Sequence, residues 1–137
     1  MTPYSLLSEF AGLSHREAAE FHRVRLDTVK SWSAGRNRAP DGASAELRSL
    51  IALQDRAARE ALDQIAVLAA TDGARPAAVE IGFPADDDEA RALGWPCVGA
   101  WRAMAARVLA QSPLEIRYVP RGMTLATAAA ADARERK

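Results

Sequence analysis

"LSHREAAEFHRVRLDTVKSWSAGR", residues 13–36, decides how this chain is read. Ser14 and Glu17 have the spacing of a capping box, in which a hydroxyl and a carboxylate satisfy the free N–H groups that open a helix. That helix is expected to reach about His22. A second is expected from near Asp27, whose carboxylate would cap it and sit at the positive end of its dipole, with Gly35 closing it. Ala18, Ala19, Phe21 and Val24 then pack inward, and Val29 and Trp32 anchor the second helix from inside. Asp27, Thr28, Lys30, Ser31 and Ser33 are left facing outward. Two short helices joined this tightly make a helix-turn-helix.

The outward set is polar and short, which suits a DNA major groove about 12 Å wide, where a Lys or Arg pairs with guanine and Ser, Thr or Asp meet other base edges. Arg36 and Arg38, beyond Gly35, and His15 at the start of the first helix are the expected phosphate contacts.

At this point the residues carry a resemblance. The 24-residue stretch is similar, without a gap, to the lambda-repressor/Cro/Xre helix-turn-helix family. "LSHREAA" stands where the family has L-S/T-Q-x-E-L-A, "DTVKSW" where it has S-T-I-S-x-W/L-E, and "AGR" where it has x-G-R/K. The resemblance extends to about Leu50. It implies base contacts from Leu26, Asp27, Lys30 and Ser31, to which the outward-facing Thr28 is added. It implies a backbone contact from Arg36 and a bracing role for His15 at a phosphate or base-contacting side chain, and Arg16, Arg25, Ser33 and Arg38 complete the expected phosphate contacts. Asp27 reads better as a cap than as a base contact, since a carboxylate near phosphates is repelled, and Leu26 either touches a thymine methyl or packs. Arg23 stands where the family has a turn Gly, and Ser33 where it has Glu, so the turn conformation and that brace are open. A looser similarity, in the order of the later elements and the "GW" at 94–95, is to YdiL-like proteins and anti-CRISPR-associated (Aca-type) autorepressors. It implies a dimer paired through the C-terminal part.

Around the motif, Thr2 and Pro3 fit the N-cap and first position of a helix carrying Leu6, Leu7 and Phe10, with Gly12 past its end. Asp41 or Ser44 opens the longest periodic run, to about Ala70, with Leu47, Leu50, Ile51, Ala58, Ala61, Leu62, Ile65 and Leu68 on one side. "TDGARP" at 71–76 stops it. Residues 78–83 alternate like a short strand, and 86–92 suit a short helix. "WPCVGAWRAMAARVLAQSP" reads as a helix with Pro96 at its first position and an inner face of Val98, Trp101, Met104, Ala105 and Val108. Residues 114–119 form a second strand. The Ala-rich tail from Thr124 reads as either a frayed helix or disordered chain. The expected fold is mainly α with a small β component. Residues 1–44 form a helix-turn-helix domain, 45–122 a C-terminal dimerisation domain, and 123–137 a tail.

A chain of 137 residues with 49% hydrophobic and 26% charged content is not disordered throughout. Eighteen Lys/Arg balance eighteen Asp/Glu, so only the distribution of charge is informative. Residues 1–40 carry six cations against four carboxylates, and the remainder twelve against fourteen, so the motif's end nets +2 and the rest −2. One cysteine, Cys97, forms no intramolecular disulfide, and with neither a secretion signal nor a long apolar segment the expected location is cytoplasmic, without membrane contact. His15 and His22 have no ligand partners at metal spacing. No catalytic triad or phosphate-cradling glycine loop is present in the sequence, so neither an enzyme nor a metal or other cofactor is expected.

The expected partners are double-stranded operator DNA and a second copy of the chain. One module reads few base pairs, whereas a two-fold dimer matches an inverted repeat. Leu50, Ile65, Trp95, Trp101 and Ile116 are the expected dimer interface, because the second half offers more apolar surface than a monomer this small is expected to hide. The alternatives are an antitoxin-type module that binds a protein partner through its C-terminal half, and RNA binding by the same basic surface.

Overall fold

The Thr2 hydroxyl accepts the Ser5 N–H at 3.1 Å, and Ser5 Oγ accepts the Thr2 N–H at 2.9 Å. This reciprocal cap, with Pro3 at the first helical position, starts α1 (Pro3–Phe10) where the sequence predicts. The computed structural model describes residues 1–70 and 78–121. After α1 come α2 (His15–His22), α3 (Leu26–Ala34), α4 (Asp41–Ala70), β1 (Val79–Phe83), α5 (Asp87–Ala92), α6 (Val98–Gln111) and β2 (Ile116–Pro120). The protein is mainly helical, with one small parallel sheet. The expectations for 71–76 and for the tail fall outside the described residues. Among the described helices none is long and apolar enough to cross a membrane.

At 1.5 Å per residue, the thirty residues of α4 run about 45 Å and form the spine of the fold. Ala43, Leu47, Leu50, Gln54, Ala58 and Ile65 are its buried line. The line continues to Ala69, which leaves Leu68 on the flank at 42% exposed rather than on the expected inner side. The first half of α4 packs with α1–α3, and α6 lies along it. Tyr4, Val29, Trp32, Leu47, Leu50, Trp95 and Trp101 belong to one continuous cluster, so the division expected at residue 44 does not coincide with a break in the core.

Gln54, fully buried in the middle of this line, donates from Nε2 to the Ala11 carbonyl at 2.9 Å and to the Ala100 carbonyl at 3.0 Å. Ala11 caps α1, where carbonyls lack helical partners, so a donor is needed there. One polar side chain thereby joins α1, α4 and α6.

Strands β1 and β2 pair in parallel, Val79 with Ile116 through Phe83 with Pro120, and a parallel pair requires the crossover that α5 and α6 supply. Tyr118 stands edge-on to Trp101 at 5.6 Å and donates its hydroxyl to the Ala105 carbonyl at 2.7 Å, fixing the sheet to α6. Strand β2 begins at Ile116, two residues later than expected, because Leu114 is buried against Ala58, Ile65 and Val108. Helix α6 likewise starts at Val98 rather than at Pro96. Its first N–H is taken by Asp87 Oδ1 at 2.9 Å, so α5 supplies the cap and Pro96 remains outside. Cys97 is buried, and burial pushes its thiol up to about 11, which makes it a small apolar filler.

The packing of α6 and the sheet on α4 corrects the expected dimer interface. Leu50, Ile65, Trp95 and Trp101 are all buried within a single chain, and Ile116 is half-buried against Leu114 and its neighbours. One chain therefore hides four of the five residues that were expected to need a partner, while Val67, Leu68 and Leu109 stay exposed.

Candidate nucleic-acid interface

The capping box of α2 is present in full. Ser14 Oγ accepts the Glu17 N–H at 3.1 Å, and Glu17 Oε1 accepts the Ser14 N–H at 2.9 Å. Helix α2 ends at Arg23, which adopts the left-handed conformation with φ 59° and ψ 46°. This turn is the one a glycine makes without cost, and for an arginine it costs roughly 1–2 kcal/mol. Val24 and Arg25 complete the link, and α3 begins at Leu26.

Asp27 does not cap α3. The N-cap is Arg25, with no side-chain bond, and Asp27 lies one turn-position inside, where its charge still meets the positive end of the dipole. At the far end Gly35, φ 80°, closes the helix as expected. Val29 is completely buried and Trp32 is 8% exposed. The Thr2 hydroxyl donates to the Trp32 carbonyl at 3.3 Å, tying α1 to the last turn of α3. Its main neighbours are α1 and α2, and the described residues leave Asp27 and Lys30 on its outer side exposed.

On that outer side Asp27 and Lys30 are exposed, while Leu26, Thr28 and Ser31 lie half-buried along its edges. Ser31 Oγ accepts from Asn37 Nδ2 at 2.8 Å, so its hydroxyl is already engaged by the following loop. Ser33 departs from expectation. Its hydroxyl is buried inside the bundle, out of reach of a phosphate, because one residue beyond Trp32 the helix has turned its inner flank toward α1.

His15, Arg16, Arg25, Arg36 and Arg38 are exposed at the two ends of α2 and α3. Of these, among the described residues, only Arg38 has a carboxylate in reach, Asp41 at 3.8 Å, with both side chains almost fully in solvent, a pairing of little energetic weight. Arg48 and Asn37 were not singled out from sequence. They line, with Arg38, Thr2 and Trp32, a cleft of about 370 Å³ beside the end of α3. Only the fold brings Arg48, on the second turn of α4, next to the loop after Gly35.

Behind α3, the His22 side chain is 1% exposed and sits among Phe21, Tyr4 and Trp32 at 5.1, 5.8 and 5.8 Å between ring centroids. Burial holds its pKa below the ordinary value, although Glu46 Oε1, 3.5 Å from Nδ1, pulls the other way. A neutral imidazole thus lies at the meeting point of α1, α2, α3 and α4.

Neither a protein-family model nor a curated protein matches this chain.

Proposed function

We propose that this chain is a cytoplasmic, sequence-specific DNA-binding transcription regulator of the lambda-repressor/Cro/Xre type, acting as a homodimeric autorepressor on an inverted-repeat operator. The observation that carries the reading is α3 itself. Val29 and Trp32 hold it from within, while Asp27 and Lys30 stand in solvent on its outer side. The arginines around it, Arg16, Arg25 and Arg36, have no carboxylate within 4 Å among the described residues and are free for phosphates. Lys30 meets a guanine edge, and Asp27 serves the helix rather than a base.

Two copies are required because one such helix spans only a few base pairs. A two-fold pair sets two copies of α3 about 34 Å apart, one turn of B-DNA. Occupying the promoter then excludes polymerase.

Selection of bound fragments from a random DNA pool tests this reading. The expected outcome is an enriched inverted repeat whose half-sites are centred about 10 base pairs apart. A pool that emerges with no enriched sequence sinks it, and preferential capture of structured RNA in a parallel pool moves the same surface to a different nucleic acid.

A further inference from the structure

The carboxyl end of β1 opens onto a pocket of about 400 Å³ between α6 and the middle of β2. Its walls are Phe83, Pro84, Val98, Trp101 and Tyr118, and among the described residues the one charged side chain lining it is Arg102. The volume exists because α6 places alanines, Ala105 and Ala106, where larger side chains would fill the space. The walls are fixed from behind. Tyr118 is bonded to the Ala105 carbonyl, and Arg107 on the same helix binds Asp55 of α4 at 2.8 Å. Pockets of this size, apolar with one or two polar groups, are typical small-molecule sites.

Arg102 gives the pocket its selectivity. Its side chain is exposed and has no carboxylate within 4 Å among the described residues. Glu9 and Glu17 share an adjoining cleft with Arg102; Glu17 is engaged with the Ser14 N–H, and Asp87, at the start of α6, with the Val98 N–H. A guanidinium at the edge of an aromatic-walled pocket binds a carboxylate in a forked pair of hydrogen bonds.

We propose that this pocket binds a small organic carboxylate bearing an aromatic or branched aliphatic group, with the apolar part between Phe83, Trp101 and Tyr118 and the carboxylate on Arg102. The site does not depend on the DNA-binding reading, since no residue of α2 or α3 lines it.

Isothermal titration calorimetry on the full chain, with phenylacetate and its uncharged analogue phenylacetamide as probes, tests this. The expected result is saturable binding of one phenylacetate per chain, at least about tenfold tighter than phenylacetamide. Arg102→Gln removes that difference and leaves phenylacetamide unchanged. Ala106→Phe, a change at an exposed position, fills the pocket and abolishes both, with an unaltered unfolding temperature as the control for folding. Absence of saturable binding by the unmodified chain overturns the proposal. So does phenylacetate affinity that Arg102→Gln leaves intact. Self-association that Ala106→Phe abolishes gives the pocket to a second copy and overturns it as well.

Discussion

Gly12 and Gly99 meet backbone to backbone, so closely that a Cβ built on either overlaps the other's carbonyl oxygen. The turn between α1 and α2 is thereby seated on the first turn of α6, next to the Gln54 bridge. Because the obstacle is main chain on both sides, no side chain can swing away. Gly99→Ala is expected to lower unfolding stability by about 2 kcal/mol. Gly12→Ala should cost more, since Gly12 also has φ 83°, a conformation that disfavours a side chain. Urea unfolding of the two variants checks both the size and the order.

Arg23 presents the opposite case, a left-handed residue that is not glycine. Relief of its strain, partly offset by the greater freedom of glycine in the unfolded chain, predicts that Arg23→Gly stabilises the protein by up to about 1 kcal/mol. A fall in the urea midpoint would place the strain elsewhere.

His22 makes stability depend on pH. Its folded pKa lies below the ordinary 6.5, so the unfolded chain binds the proton more readily. Its contribution is therefore complete above pH 6.5 and is lost as the pH falls below that value toward the lowered folded one. Unfolding temperatures from pH 7.5 down to 5 should decline for the natural chain. The decline should be shallower for His22→Leu, which removes the titrating group, and equal slopes for the two proteins would exclude His22 as its source.

On DNA, the two ends of the interface should separate by what they read. Lys30→Ala is expected to reduce discrimination between the selected site and random DNA by about tenfold. Arg36→Ala should weaken both alike and lower the salt slope by roughly one. Ser33→Ala, its hydroxyl being buried, should leave binding unchanged. Fluorescence anisotropy across a salt series distinguishes the three, and an effect of Ser33 as large as that of Arg36 would contradict the inward placement of its hydroxyl.

Much of residues 1–36 was legible because its signals are local, the exceptions being the cap of α3, where Asp27 was expected and Arg25 stands, and the inward hydroxyl of Ser33. Thr2 with Pro3, Ser14 with Glu17, and Gly35 each act within a turn of the chain, and each appears where expected. The starts of α6 and β2, which also differed, depend on distant groups. Asp87, eleven residues back, caps Val98 in place of a cap from the adjoining "WP". Leu114 leaves the strand for a core built from α4 and α6.

The sequence by itself determined the helices, the inward Val29 and Trp32 and the outward Asp27 and Lys30, since periodicity and capping are properties of neighbours along the chain. Only the tertiary structure decided that Leu50, Ile65, Trp95 and Trp101 lie in one chain's interior, that Gln54 belongs there with them, and that Arg102 stands at an aromatic pocket. Those facts depend on which faces of α4 and α6 come together. Hydrophobic attraction has no direction, so an apolar face in a sequence does not name the surface that covers it.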